Sequence, residues 1–307
     1  YYFHFYALQN IFLDVTNSKI INKRKVAKVY FTSQKTAYLK SPGLALISIS
    51  GVDISGIGNF LEGFPKDYEF IKYLKDPVKL PPAEKLTKVA GQTCYMSFGP
   101  KRTWNKEAQK YFDNIILSGH GSVMEHANFS FLIWGVSRSF THELVRHRAG
   151  CAYSQVSQRY VSGRVLRFVE RVEYQGDKHL HELFEERIDR AHREYSEMAD
   201  YLYSKQEKGY KILSGEQKTD LRKKVQQVSR SLLPNETEAP IIVTANVRAW
   251  RHMINMRASN HAEVEIRNVF FNIYKILREV SPMLFKDFKV VHLSDGTYCV
   301  KTEFPKV

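Results

Sequence analysis

A mixed α and β fold is what this 307-residue sequence predicts. Three observations carry the expectation. Asn128–Trp134 alternates and is rich in aromatics, the pattern of a strand with one buried face. Glu84–Met96, Asn105–Leu117 and Val264–Val280 repeat their apolar residues at helical spacing. Neither kind of segment is confined to one half of the chain. At about 150 residues per domain the length allows one or two domains. Hydrophobic residues at 43% and charged residues at 25% are ordinary globular usage, which excludes disordered, collagenous and coiled-coil classes.

Taken in order, residues 1–50 hold seven Lys/Arg and one Asp, and so supply +6 of the net charge of +14. Tyr1–Leu13 is aromatic and uncharged apart from His4, and Ser41-Pro42-Gly43 punctuates the chain as a turn. Residues 1–45 are therefore read as an N-terminal extension and residues 46–307 as the main domain. Gly51, Gly56 and Gly58 complete no phosphate-loop pattern, so that stretch reads as a turn-rich loop. Amphipathic helices then alternate with breaks at Pro77 and Pro81-Pro82. After the Asn128–Trp134 strand, Ser137 is placed to cap a helix running to about Arg148. Arg164–Val172 and Ile241–Thr244 read as further strands, with helices over His179–Gln206 and Thr219–Leu233 between them. Val264–Val280 is a long amphipathic helix, and Val290–Lys301 a hairpin turning at Asp295-Gly296.

The positive balance suits phosphate-bearing partners, polymeric or small. Cys94, Cys151 and Cys299 are too few and too scattered for a disulfide framework or a zinc cluster, so a reducing, cytoplasmic setting is the default and no metal is expected. The longest apolar tracts, 1–13 and 41–52, fall short of the roughly 20 residues that cross a bilayer. No basic segment precedes the first of them, so it does not read as a secretory signal, and the absent initiator Met points to a fragment or a trimmed chain.

Chemistry concentrates between Arg138 and Tyr160. Arg138, His142, Glu143, Arg146, His147 and Arg148 lead into a Gly-Cys-Ala-Tyr loop, then Ser154, Gln155, Ser157, Gln158, Arg159 and Tyr160. On a continuous helix Arg138, His142, Glu143 and Arg146 share one side, while Phe140, Leu144 and Val145 face the core. Four Arg and two His within 22 residues make this an anion site rather than a solvated surface. His142 and His147 are five residues apart, about 140° around a helix, so the two-histidine zinc-protease arrangement is rejected. Cys151 is weighed as a nucleophile and read as a small loop residue.

Arg146-His-Arg-Ala-Gly-Cys-Ala-Tyr-Ser-Gln-Val-Ser157-Gln-Arg-Tyr160 resembles the signature of the flavin-dependent thymidylate synthases. Collinear segments extend the resemblance: His120-Gly-Ser-Val-Met-Glu-His126, Ser137–Val145, Arg230-Ser-Leu-Leu-Pro234, Asn246–Arg257 and His261–Arg267. It covers the chain from about Val89 onward. Eight residues separate Arg148 from Ser157, one more than the commoner family spacing, which implies a bulged loop at Ala149–Ala152.

The resemblance implies an α+β fold of helices around a central antiparallel sheet, and a methyltransferase that converts deoxyuridylate (dUMP) to deoxythymidylate. FAD would be the cofactor, with methylenetetrahydrofolate as carbon donor and NADPH as reductant. It implies that Ser122, Glu125, Arg146, His147, Arg148, Asn246, His252 and His261 contact FAD. Arg138, Glu143, Gln155, Ser157, Gln158, Arg159, Arg230 and Arg257 would hold deoxyuridylate. Arg257 is the choice for reaching the uracil ring, and Ser157, a nucleophile by position, becomes a binder in a family whose reaction proceeds without a covalent enzyme link. Four copies would assemble with shared sites, and neither a nucleic-acid polymer nor a membrane is expected as partner. Single residues keep plainer readings: Glu125 and His126 as a helix-start pair, Asn246 as a cap, His252 and His261 as satisfied histidines. Two rival functions stay open, a nucleic-acid binder suggested by the charge and a flavin-binding family member without synthase activity.

Overall fold

The computed structural model describes residues 27–100, 102, 104–208 and 218–307, so Tyr1–Leu13 and the rest of residues 1–26 lie outside the described residues. In chain order the strands are β1 (Val29–Phe31), β2 (Ala37–Leu39), β3 (Gly43–Ile49), β4 (Asn128–Trp134), β5 (Cys151–Gln155), β6 (Phe168–Val169), β7 (Ile241–Asn246), β8 (Lys289–His292) and β9 (Tyr298–Lys301). The helices are α1 (Ser55–Glu62), α2 (Pro82–Tyr95), α3 (Ala108–Leu117), α4 (Arg138–Leu144), α5 (Val172–Gln175), α6 (Lys178–Glu207), α7 (Lys218–Ser229), α8 (Val247–Arg257), α9 (Val264–Val280) and α10 (Pro282–Phe285).

The centre is a four-stranded antiparallel sheet ordered β3-β4-β7-β5. Alternation explains its two faces. Phe129, Phe131 and Ile133 of β4 and Ile241, Val243 and Ala245 of β7 are all buried on the face that packs against α8 and α9, where Trp250, Met253, Ile266, Phe270 and Ile273 complete the core. Trp250 also donates its indole N–H to the Phe129 carbonyl at 3.2 Å. Opposite, Ser130 and Thr244 share a hydroxyl hydrogen bond of 2.8 Å and Ile242 is exposed. At the rim Gly43 lies under the Trp134 indole, where an added Cβ would sit 1.9 Å from a ring carbon.

A smaller sheet, β1-β2-β6, carries α6 on its face through Tyr38, Phe168, Phe184 and Ile188. The described part of the expected extension thus packs on the body: β2 pairs in parallel with β6, and residue 45 falls inside β3. The β8–β9 hairpin turns at Asp295-Gly296, with Gly296 at a φ of 78°. Among the described residues no helix is long and apolar enough to cross a membrane.

Four expectations need correction. Gly56 and Gly58 stand inside α1 rather than in a turn-rich loop. Cys151–Tyr153, read as loop, belongs to β5 and pairs with β7 in unbroken register from Cys151–Ala245 onward, so Cys151 is a strand residue. Arg164–Val172 is not a continuous strand; only Phe168–Val169 pairs, because Ser162 turns the chain by accepting the Arg164 N–H and Val165 N–H, and Val172 already begins α5. The helix capped by Ser137 stops at Leu144 rather than near Arg148, which leaves Val145 37% exposed and Arg146 off the helix. The last turn tightens instead, with His147 N–H donating to the Leu144 carbonyl at 3.2 Å. The Tyr153 hydroxyl claims the His147 carbonyl at 2.7 Å and holds the chain in its turn.

α2 buries Glu84 completely, and the carboxylate accepts the Met283 N–H at 2.8 Å. Burial pushes its pKa up from 4.5 to about 7, against the opposing pull of the Met283 N–H and Lys286. A carboxyl whose folded pKa is raised favours the protonated fold, so its contribution is fully present below pH 4.5 and is lost as pH rises through about 7. Glu84→Gln keeps the acceptor and removes the charge; thermal melts are expected to show it more stable than the parent by about 1–2 kcal/mol at pH 8. At pH 5 the difference should nearly vanish.

Candidate active site

The Ser137 hydroxyl accepts the Phe140 N–H at 3.1 Å and so begins α4, while Ser137 itself donates N–H and O–H to Glu265 at 2.7 and 2.6 Å. Arg146-His147-Arg148 follow on the turn between α4 and β5, which Tyr153 holds through the His147 carbonyl. Gly150 closes the turn at a φ of 70° and rests on Asn246, whose amide nitrogen would lie 2.5 Å from any Cβ built there. Asn246 in turn donates its N–H to the Gly150 carbonyl at 3.0 Å and caps α8 by accepting the Ala249 N–H at 2.8 Å. One residue therefore joins the Arg-His-Arg turn to the helix that carries His252 and Arg257.

Arg257 crosses to the turn. Its Nη1 donates to Glu143 Oε2 at 2.8 Å, its Nη2 to the Glu143 carbonyl at 3.2 Å and its Nε to His147 Nε2 at 2.9 Å. An imidazole that accepts at Nε2 is neutral and carries its proton on Nδ1. Burial first, then the Arg257 and His252 charges, lower the His147 pKa from 6.5 to about 4. The His252 ring stands edge-on to it, 5.6 Å between centroids.

Two hollows open beside this cluster. The smaller, about 180 Å³, is lined by Arg146, His147, Arg148, Cys151, His252 and neighbours. The larger, about 580 Å³, has Glu125, Gly150, Asn246, Arg248 and His252 in its wall. Ala149, Ala249 and His252 line both. Glu125 is paired with Arg248 at 2.6 Å. Guanidiniums, imidazoles and an amide around a shallow double hollow, with a backbone turn lacking a side chain at Gly150, fit the anionic and hydrogen-bonding edges of a flavin dinucleotide. Burial raises the Cys151 pKa, opposite to what a reactive thiolate needs.

The remaining candidates group elsewhere. Arg138 and Arg230 lie close enough that Arg230, after burial, lowers the Arg138 pKa, and among the described residues neither has a carboxylate partner. Ser157 Oγ accepts the Arg159 N–H at 3.3 Å, while Gln158 Nε2 and Arg159 Nε are buried donors without acceptors, as befits an anion subsite. Arg159 lines a third hollow with Tyr160, Asp220, Arg222, Lys223 and Gln226, sharing no residue with the other two. Gln155 sits at the end of β5 opposite Ile241. Ser122 and His261 are exposed and line none of the three hollows.

A family profile described as thymidylate synthase complementing protein matches residues 78–283, every candidate site residue among them. The chain belongs to this family. Flavin-dependent thymidylate synthases of Mycobacterium tuberculosis (strain ATCC 25618 / H37Rv) and Mycobacterium bovis (strain BCG / Pasteur 1173P2) are each 43% identical over 213 residues, 69% of this chain and 82% of theirs. That of Mycobacterium sp. (strain JLS) is 41% identical over 222 residues, 71% of this chain and 84% of its own. The family match leaves out β1–β3 and the whole β8–β9 hairpin, although the latter leads into residues 305–307 that line the larger hollow.

The sequence reading passed over Arg248 as a lining residue, though it stands two residues after Asn246 inside a quoted segment. Lys306 also lines the hollow and had no motif to mark it. NMR titration of His147 is expected to give a pKa well below 6.5, and Arg257→Ala to raise it by removing a neighbouring charge. A His147 that titrates normally in both proteins would contradict the arrangement.

Proposed function

We propose that this chain is an FAD-dependent thymidylate synthase, a flavoprotein methyltransferase that converts deoxyuridylate to deoxythymidylate with methylenetetrahydrofolate as carbon donor and NADPH as reductant. The family match across the whole Arg-His-Arg region carries the reading. When bound, FAD supplies the hydride relay, and the chain's task is placement and electrostatics.

Arg146, Arg148, Asn246 and His252 are assigned to hold FAD, with Glu125 orienting Arg248 beside them. His147, neutral at pH 7, lines the smaller hollow and accepts from Arg257. Ser122 and His261 are kept as FAD contacts on the resemblance alone. Arg138, Arg230, Gln155, Ser157, Gln158 and Arg159 are assigned to deoxyuridylate. Arg257 commits three of its five donors to Glu143 and His147, which leaves one N–H on each terminal nitrogen for the carbonyl edge of a uracil ring. Glu143 thus acts on the nucleotide through the Arg257 plane, and no covalent role is needed for Ser157.

The separation of the Arg159 hollow from the Arg-His-Arg hollows supports sites completed by neighbouring copies, in a homotetramer. The α+β architecture is proposed to be that of the flavin-dependent synthases. Residues 46–307 are assigned to the synthase domain and 1–45 to an N-terminal extension whose last residues open β3. A cytoplasmic setting is proposed, since a reducing compartment suits the three free cysteines Cys94, Cys151 and Cys299.

The purified protein is expected to show flavin absorbance bands that shift on adding deoxyuridylate. Arg257→Ala should keep the fold and the bands and lose turnover by about a hundredfold or more, the scale of removing one preorganised donor. A colourless protein that gains no flavin, or an Arg257→Ala enzyme with near-normal turnover, would overturn the reading.

A further inference from the structure

The larger hollow has a wall that the family match does not cover. Pro305, Lys306 and Val307 line it together with Asn246, Arg248 and His252. This stretch is anchored at both ends. Thr302 donates its hydroxyl to Asp287 at 2.5 Å and accepts the Phe304 N–H at 2.9 Å. Val307 is 4% exposed, and its carbonyl accepts the Nε–H of Arg251 at 3.0 Å. Arg251, itself 1% exposed, is locked by a bidentate pair to Asp287 at 2.6 and 2.7 Å and by the Leu284 carbonyl. A segment held this firmly has little freedom left, so the position of Lys306 on the rim is set by the core beneath it.

Charge at that rim is unbalanced. Glu125 is the acidic residue in the wall and Arg248 already takes it at 2.6 Å. Lys306 is exposed, and among the described residues no carboxylate pairs with it. The same hollow is lined by the N-terminal end of α8, an 11-residue helix whose first turn holds no acidic residue. Its dipole adds further positive potential. A surplus ammonium, a paired guanidinium and a helix start facing one hollow suit a compact polyanion rather than a carbonyl or a ring.

We propose that Lys306 is a binding residue for the pyrophosphate bridge of a dinucleotide seated in this hollow. The inference rests on the synthase reading above, which supplies two such dinucleotides, FAD and NADPH.

The test uses the full chain stripped of flavin, with FAD binding followed by quenching of flavin fluorescence and NADPH binding by its own fluorescence, at low and moderate salt. Lys306→Ala is expected to raise the Kd of one of the two ligands about fivefold, close to 1 kcal/mol. Lys306→Glu should raise it further, with the difference shrinking as salt rises. The affected ligand identifies the occupant, and unchanged thermal melts of both variants exclude a folding cause. If the parent binds FAD and Lys306→Glu matches it for both ligands, this inference alone is overturned. If the parent binds neither dinucleotide, the synthase reading falls and takes the inference with it.

Discussion

Gly150 against Asn246 is the contact on which the site depends. The glycine lets the Arg-His-Arg turn come down onto β7 without a side chain between them, and the asparagine converts the end of β7 into the start of α8. Strand register, helix start and turn are thereby fixed at one point. The three basic residues and His252 and Arg257 of α8 keep their spacing because the turn and the helix start are held at that one contact.

Around that junction the electrostatics are arranged so that one cation orients another group instead of repelling it. Arg257 beside a protonated His147 would be unfavourable, and burial keeps the imidazole neutral and turns it into an acceptor. Glu143 then supplies the negative charge that pairs with the Arg257 guanidinium at 2.8 Å. Arg138 and Arg230, by contrast, have no carboxylate partner among the described residues, and after burial the Arg230 charge lowers the Arg138 pKa.

Much of this was readable in the residues. β4 and α9 have the bounds expected from their periodicity, because each buries one regular face against the same core. The family was readable as well, since its motifs follow one another in order along the chain. What escaped depends on partners far away in sequence. α4 ends where Tyr153 captures the His147 carbonyl, a contact no helical pattern announces. Glu84 looks like any surface carboxylate of an amphipathic helix, yet its partner is an N–H 199 positions on. Arg164–Val172 alternates convincingly, but a strand needs a neighbour along its whole length and β2 reaches only two of its residues.

The anchoring of Val307 to Arg251 has a consequence for how the molecule is made. The wall of the larger hollow joins a turn near residue 150 to a stretch near residue 306, so a growing polypeptide can build its central sheet and most of its helices while that hollow still lacks a side. Until residues 284–307 have left the ribosome, Arg251 and Asp287 cannot meet in their final arrangement, and a guanidinium destined for the interior stays wet. The hollow gains that side only once residues 284–307 have folded back onto the core.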